Sequence, residues 1–323
     1  MKRAFVTGGS GFVGRNLIAA LRARGVEVRA LARSEAAAAA VKQAGAEPVR
    51  GDLDDEVALR EGAAGCDAVF HCAAKVEEWG DPADFHRINV EGTEHLLRAA
   101  REAGASRFVH VSTEAVLVGG GPIVNADETR PRPARPIGLY PLTKGLAEER
   151  VLAANAPGFA TVIVRPRLIW GPGDTSLLAK IVLAVKQARF MWIGGGHYLT
   201  STCHVANVAE GTILAAERGT PGGIYFLTDG PPIESRTFLT ALLATQGVDP
   251  GSKSAPHALV AVLAVAGELL WRALRLKGVP PMTRTALMLI GEEVTVNDAR
   301  ARRELGYREV ISRDQGLREM ARA

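Results

Sequence analysis

The most constraining feature of this sequence is a glycine-rich turn near its start, between a short apolar run and an amphipathic segment. Ala4-Phe5-Val6 is typical of a buried strand, and Gly8, Gly11 and Gly14 follow it with the spacing G-x-x-G-x-x-G. The first glycine permits a sharp turn, the second lets backbone N–H groups approach a pyrophosphate, and the third lets a helix pack close to the strand. The N-terminus of that helix favours an anion. The predicted phosphate-binding residues are Gly8, Ser10, Gly11, Phe12, Val13 and Gly14.

Beyond this turn, strand-like apolar runs alternate with helical segments. The strand-like runs cover residues 26–31, 47–50, 68–72, 107–112 and 161–165. Such alternation predicts an α/β fold, a doubly wound parallel sheet with helices on both faces. The pattern loosens after residue 166, where glycine pairs and triplets separate shorter segments. We therefore expect a dinucleotide-binding domain over 1–166 and a smaller C-terminal substrate-binding lobe over 167–323, some of whose strands and helices return to the first domain.

Composition argues against several functional classes. The chain has 323 residues and a net charge of only +4, with basic and acidic residues interleaved, so we expect no nucleic-acid partner. Cys66, Cys72 and Cys203 are odd in number and widely spaced, which indicates reduced thiols in a cytoplasmic protein and predicts neither a disulfide nor a metal site. The longest apolar run, 258–267, is about half of the roughly 20 residues that a membrane span needs.

A second landmark is the pair Tyr140 and Lys144. Residues four apart share one face of a helix, so the phenol and the ammonium are expected to lie together. A tyrosine titrates near about 10, and a neighbouring cation lowers that pKa. Such a pair is a usable general acid for carbonyl reduction or a base for alcohol oxidation. The alternative is a tyrosine and a lysine on a solvated helix face.

These motifs, taken in order, resemble the extended short-chain dehydrogenase/reductase superfamily along essentially the whole chain. The matching segments are 7–14, Gly51-Asp52-Leu53, 89–93, Ser112-Thr113 and 140–144. Three further segments are similar to the 3β-hydroxysteroid dehydrogenase-like branch, which includes sterol-4-carboxylate 3-dehydrogenases and bacterial 2-alkyl-3-oxoalkanoate reductases. They are 72–75 with Trp79-Gly80, 164–174, and Leu305-Gly306-Tyr307. The resemblance implies a Rossmann-type sheet and a homodimer.

The resemblance also implies roles for single residues. Tyr140 is the implied acid/base, and Lys144 the residue that lowers its pKa and binds the nicotinamide ribose. Thr113 stands where the superfamily has a residue that holds the reacting oxygen. Asn89 matches an asparagine that supports the site, although capping of a helix over 89–103 is an equal alternative. The other implied cofactor contacts are Asp52, Leu53, Ala73, Ala74, Lys75 and Pro166.

The end of the second predicted strand bears on the choice of cofactor. NAD-binding chains usually have a carboxylate there for the ribose hydroxyls. This chain has Ala32-Arg33-Ser34 instead, and a guanidinium can bind a 2′-phosphate bidentately. The sequence therefore favours NADP(H), with NAD(H) as the alternative. The competing interpretation of Arg33 is a surface residue without a role in cofactor binding.

The C-terminal half favours a hydrophobic small-molecule substrate. Segments 190–193 and 198–205 supply aromatic and small side chains and few cations. The candidate substrate contacts are Trp79, Thr113, Trp192 and His204, with packing in the core as the alternative for Trp79. The amphipathic segment 258–276 is interpreted as packing against a neighbouring domain, as a lid, or as a peripheral membrane contact.

Together these features predict an oxidoreductase that interconverts a ketone and a secondary alcohol on a sterol-like or β-keto acyl molecule. Two alternatives stay open at this stage. One is a nucleotide-sugar epimerase or dehydratase with tightly bound NAD, and the other is a non-catalytic dinucleotide-sensing protein.

Overall fold

A computed structural model describes residues 1–175 and 177–322. Its strands are β1 (Arg3–Thr7), β2 (Glu27–Ala32), β3 (Glu47–Arg50), β4 (Ala68–His71), β5 (Arg107–Val111), β6 (Ile123–Ala126), β7 (Ala160–Pro166), β8 (Ile169–Trp170), β9 (Trp192–Ile193), β10 (Leu199–Thr200), β11 (Cys203–His204), β12 (Ile224–Leu227), β13 (Ile233–Glu234), β14 (Ser254–Ala255) and β15 (Val294–Val296).

The α-helices are α1 (Phe12–Ala23), α2 (Glu35–Gln43), α3 (Glu56–Ala63), α4 (Pro82–His86), α5 (Gly92–Glu102), α6 (Leu139–Ala153), α7 (Leu177–Lys186), α8 (Val205–Arg218), α9 (Ser235–Ala244), α10 (His257–Ala273), α11 (Arg284–Ile290), α12 (Ala299–Leu305) and α13 (Arg313–Met320). A π-helical turn, Arg87–Glu91, leads into α5, and short 3₁₀ turns cover Glu114–Leu117 and Gly194–Gly196.

The centre of the molecule is a sheet of seven parallel strands in the order β12-β7-β5-β4-β1-β2-β3. The predicted doubly wound parallel sheet is therefore confirmed. The chain leaves β1 toward β2 and β3 on one side and returns on the other side through β4, so the strand order reverses between β1 and β4. In sheets of this kind, ligands bind at that point of reversal, beyond the carboxyl ends of the strands.

Alternate strand residues feed two separate hydrophobic layers. Val6 and Val109 point toward the layer under α1 and α8, whereas Phe5 and Phe108 point toward the layer under α3 and α5. This two-residue period explains why each strand reads as a continuous apolar run, because both of its faces are buried.

The two halves of the chain exchange elements. The edge strand β12 comes from the C-terminal half and pairs with β7, with Ile224 opposite Ile163, while α8 packs against α1. In return, β6 pairs with β15 in a four-stranded sheet of the smaller lobe, in the order β13-β10-β15-β6. The strand prediction stopped at residue 165 and missed β12, although its fully apolar sequence directly follows Gly222-Gly223.

Within the described part of the chain, no helix is both long enough and apolar enough to cross a membrane.

Candidate active site

A cavity of about 690 Å³ lies where β1, β2, β4, β5 and β7 end. Its lining includes fourteen of the site residues expected from the sequence. They are Gly8, Ser10, Gly11, Phe12, Val13, Gly14, Arg33, Asp52, Leu53, Ala73, Ala74, Thr113, Tyr140 and Pro166. The fold thus gathers segments more than 150 residues apart into one continuous surface.

The glycine loop at one end of this cavity accepts no side chains at two positions. Gly8 has a φ of +71°, and a Cβ there would lie 2.6 Å from the backbone nitrogen of Ala73. A Cβ on Gly14 would lie 2.2 Å from the carbonyl oxygen of Gly8. The N–H of Gly11 donates to that same oxygen at 3.0 Å and closes the turn. The backbone itself therefore forms this part of the surface.

Helix α1 begins at this loop in a way that suits an anion. Gly11 occupies the N-cap position and provides no side-chain hydrogen bond to the helix, and the first turn contains no acidic residue. The next residues, Phe12, Val13 and Gly14, line the cavity. A helix N-terminus that is uncapped and open to a cavity carries partial positive charge, so this cradle fits the pyrophosphate of a dinucleotide.

The carboxyl end of β2 carries a free cation at the cavity. Arg33 is exposed, lines the cavity, and has no hydrogen bond or ion pair among residues 1–175 and 177–322. Asp52, opposite in charge, accepts a hydrogen bond from the N–H of Asp54 at 2.9 Å, and Asp54 itself pairs with Arg87.

The two candidate catalytic hydroxyls lie together in the cavity wall. The hydroxyl of Thr113 lies near the Tyr140 phenol and donates to a Glu114 carboxylate oxygen at 2.8 Å. It also accepts the N–H of Ala115 at 3.2 Å. Burial raises the pKa of Tyr140 above its usual value, and the Glu114 charge raises it further, whereas the nearby Thr113 hydroxyl lowers it.

Lys144 lies on α6 one turn after Tyr140, as expected, but its ammonium is directed elsewhere. Its Nζ donates to the carbonyl oxygen of Val111 at 2.8 Å and lies 2.9 Å from Nε2 of His110. Burial lowers the pKa of Lys144 to about 8, opposed by the Glu148 carboxylate. The ammonium is thus bonded to the end of β5, and the pKa of the phenol responds to burial and Glu114. That Lys144 lowers the pKa of Tyr140 stays a prediction.

A buried ion pair beside the two hydroxyls was missed by the sequence analysis. Nη1 of Arg167 donates to Glu114 at 3.0 Å, and Nη2 donates to the carbonyl oxygen of Leu289 at 2.6 Å and to Thr200 at 3.2 Å. Both charged residues line the cavity and are almost fully buried. The sequence positions could have indicated this pair, because Glu114 follows Thr113 directly and Arg167 stands at the end of β7.

Asn89 lies outside the cavity lining and links two segments of the chain through its side-chain amide. Its amide accepts the N–H of Lys75 at 2.7 Å and donates to the Lys75 carbonyl at 3.0 Å and to the Thr143 hydroxyl at 3.0 Å. Asn89 lies inside the π-helical turn, so the alternative of a helix cap is wrong. Asn89 and Lys75 are not in the cavity lining of the described residues, and the Lys75 ammonium lies 5.3 Å from the ring centre of Phe85.

The three aromatic candidates for substrate contact each make other contacts in this structure. Trp79 stacks under the guanidinium of Arg272 at 5.3 Å. Trp192 is buried in the core of the smaller lobe. His204 is buried as the cap of α8, with its ring 4.8 Å from that of Trp170. None of the three lines the cavity formed by the described residues, so their contact with a substrate stays a prediction.

The rest of the cavity lining is formed by side chains to which the sequence analysis gave no role in substrate binding. Its apolar members are Val76, Leu168, Ile169, Leu177 and Leu289. Thr175, Lys180, Thr285 and the rim carboxylates Glu77 and Glu78 add polar groups. These residues come from four separate segments, so no local pattern marked them as one surface.

Comparison with known proteins agrees with this geometry. The model of the 3-beta hydroxysteroid dehydrogenase/isomerase family matches residues 5–257. The chain is 54% identical to a 4-hydroxy-2-methyl-3-oxo-4-farnesyl-3,4-dihydroquinoline-1-oxide ketoreductase of Stigmatella aurantiaca, over 99% of this chain and 96% of that protein. It is 36% identical to a decarboxylating sterol-4-alpha-carboxylate 3-dehydrogenase of Dictyostelium discoideum, over 99% of this chain and 100% of that protein.

Among solved structures, the dTDP-glucose 4,6-dehydratase DesIV of Streptomyces venezuelae, determined with NAD bound, superposes with a TM-score of 0.75 at 25% identity. The alignment covers 99% of this chain and 96% of that one. The sequence-based assignment to the extended short-chain dehydrogenases is confirmed, and so is the branch within it. The chain belongs to the 3-beta hydroxysteroid dehydrogenase/isomerase family and is an NAD(P)-dependent dehydrogenase or reductase acting on CH–OH groups.

Proposed function

We propose that this protein is an NADP(H)-dependent ketoreductase that converts a ketone on a large hydrophobic molecule into a secondary alcohol. One observation carries the proposal: the hydroxyls of Thr113 and Tyr140 line the same cavity as the glycine cradle and a set of apolar side chains. A carbonyl placed at the hydroxyls would share this cavity with both the apolar side chains and a dinucleotide on the cradle.

When bound, a nicotinamide dinucleotide supplies the hydride for the carbonyl carbon. Tyr140 donates its phenol proton to the carbonyl oxygen, so that the C=O bond becomes an alcohol and the tyrosine is left as a phenolate. Thr113 holds the oxygen when its one hydroxyl proton turns from Glu114 to that oxygen. Both groups act on negative charge that develops at the oxygen in the transition state, so they lower the barrier more than they strengthen substrate binding.

The electrostatics of Tyr140 favour the reducing direction. A phenol whose pKa is raised stays protonated at neutral pH and is ready to act as the acid. Oxidation of the alcohol requires the phenolate, which burial and the charge of Glu114 both disfavour. We therefore expect reduction to proceed near neutral pH and oxidation to need alkaline conditions.

The apolar part of the cavity lining supports a hydrophobic substrate over a sugar nucleotide. Leu168, Leu177 and Leu289 belong to it. The accompanying charged residues, Lys180, Glu77 and Glu78, carry no net positive charge that would hold a diphosphate. The two curated relatives described above are named for a farnesylated quinoline oxide and a sterol carboxylate, both large apolar molecules. An epimerase carrying tightly bound NAD is thus the weaker candidate, and absorbance of the purified protein for retained dinucleotide tests it.

The free guanidinium of Arg33 supports NADP(H) as the preferred cofactor. It lies at the cavity after β2, where the strand end provides no carboxylate. A charged hydrogen bond to phosphate contributes about 1.5–3 kcal/mol, equivalent to roughly 10- to 100-fold in affinity. Arg33→Ala should therefore raise the KM for NADPH by about that factor and leave the KM for NADH unchanged.

The matched control for this variant is Arg50→Ala. Arg50 is also exposed near the end of the neighbouring strand, but it pairs with Glu35 at 3.1 Å and does not line the cavity of the described chain. It should change neither constant. A wild-type enzyme with a lower KM for NADH than for NADPH would refute the cofactor assignment.

The reaction itself is tested by screening β-keto acids, oxosteroids and prenylated cyclic ketones for NADPH oxidation. Tyr140→Phe should then lower kcat by roughly 10²–10⁴-fold while NADPH binding, followed by fluorescence, stays intact. Tyr225→Phe removes a phenol that bonds to Glu304 outside the cavity and serves as the control. Near-normal turnover by Tyr140→Phe would overturn the proposed role.

A further inference from the structure

Helix α10 has two apolar faces, of which only one is covered. Val260 and Ala264 are buried in a small core with Leu287 of α11. The opposite side, here called the outer face, repeats at helical spacing and is exposed. It consists of Leu259, Val262, Leu263, Ala266, Leu269 and Leu270. A helix packed on one side normally has polar residues on the other, so the outer face needs an explanation.

The outer face is the main apolar patch of the protein. Val262, Leu263 and Leu269 are 66%, 59% and 62% exposed. Of the nineteen large hydrophobic residues exposed in the described chain, nine lie between residues 259 and 279. Single exposed leucines are ordinary, whereas a contiguous exposed patch marks a binding surface.

The charges next to the outer face select its partner. Arg272, Arg275 and Lys277 are exposed at its C-terminal end. The one carboxylate between residues 257 and 279, Glu268, is buried and pairs with Arg284 at 2.8 Å. Two copies meeting through this surface would bring cations together, whereas anionic lipid head groups complement them. We propose that the outer face docks on a lipid bilayer that carries anionic head groups.

The position of α10 gives this docking a purpose. Helix α11, which covers its inner face, contributes Thr285 and Leu289 to the cavity wall. At the other end, Arg272 stacks on Trp79 in the segment that follows cavity-lining Glu78. A bilayer on the outer face lies one helix away from the cavity, so a membrane-dissolved ketone would have a short path to it. This purpose rests on the proposed function, whereas the docking itself does not.

Flotation with phosphatidylcholine vesicles, with and without phosphatidylglycerol, tests the docking. The wild type should float with the anionic vesicles. Because each buried leucine contributes about 1.5–3 kcal/mol, the double variant Leu263→Glu/Leu269→Glu should lose more than 100-fold in partitioning. The control, Val57→Glu/Val310→Glu, changes two similarly exposed residues elsewhere and should float like the wild type.

The charge argument has its own variant. A basic residue near an anionic surface contributes about 1 kcal/mol, which is about fivefold in partitioning. Arg275→Gln/Lys277→Gln should therefore reduce binding about fivefold per residue with phosphatidylglycerol vesicles and leave the weak binding to neutral vesicles unchanged.

Three results would overturn the proposal. The first is failure of the wild type to float with either vesicle. The second is an equal loss of flotation in the Val57/Val310 control. The third is a smaller oligomer for the leucine variant with unchanged flotation, which would make the outer face a contact between copies. Activity toward a vesicle-dissolved ketone, compared with a water-soluble one, tests the purpose separately. Absence of activity toward both ketones in a protein that floats would refute the proposed function and leave the docking intact.

Discussion

Replacement of Lys144 by methionine gives the sharpest test of the electrostatics beneath the site. Burial lowers the pKa of this lysine from 10.5 to about 8 in the folded protein. One pH unit corresponds to about 1.36 kcal/mol, so at neutral pH the buried ammonium costs about 3 kcal/mol of folding free energy. Loss of the bonds to His110 and Val111 adds a further contribution in the variant that does not depend on this titration.

The pH dependence isolates the ammonium. Between pH 8 and 10.5 the unfolded lysine binds a proton that the folded lysine has released, so the wild type gains stability as pH rises through this window. Below pH 8 both states are protonated and the cost is constant. The free energy of unfolding of the wild type should therefore rise relative to Lys144→Met by about 2 kcal/mol between pH 7 and 9.5.

Urea unfolding followed by circular dichroism at several pH values measures this difference. Lys42→Met, at an exposed position on α2, is the control and should show no such trend against the wild type. Parallel stability curves for the wild type and Lys144→Met across the window would show that the ammonium is not desolvated, and the reasoning would fail.

Three further substitutions test other parts of the site. Gly14→Ala places a Cβ 2.2 Å from the carbonyl oxygen of the first loop glycine and should abolish NADPH binding in calorimetry. Glu114→Gln removes a charge that raises the pKa of Tyr140, so the rising limb of kcat/KM for alcohol oxidation should move to lower pH; a shift to higher pH would contradict this. Glu148→Gln leaves the buried guanidinium of Arg165 without its bidentate partner and should cost about 3–5 kcal/mol in urea unfolding, whereas an unchanged midpoint would show that the pair adds little.

The parallel sheet and the glycine cradle could be predicted because their signals are local. A strand, a glycine-rich turn and a helix follow each other within 23 residues. The positive φ of Gly8 disfavours residues that carry a side chain. Tyr140 and Lys144 were placed on one helix by spacing alone. Spacing gives the position of a Cβ, however, and the direction of the long lysine side chain depends on His110 and β5, which are distant in sequence.

The substrate half could not be predicted for the same physical reason. Its surface joins residues of four segments, and the buried pair of Glu114 and Arg167 forms only when the 3₁₀ turn after β5 meets the end of β7. Aromatic residues such as Trp192 were chosen as substrate contacts because they are large and apolar. The same properties make them core residues, and a sequence alone does not separate these two uses.

The exchange of elements between the two halves also limits how this chain can be divided. A fragment ending at residue 166 would have β7 as an edge strand without β12 and would leave α1 uncovered by α8. Such an edge is prone to pair with other chains. The substrate lobe is therefore better regarded as insertions in a single folding unit, and engineering of specificity should exchange the loop 73–80, the segment 167–175 or the segment 250–292 in place. Fusion of a foreign lobe after residue 166 would remove part of the sheet that holds the cofactor cradle.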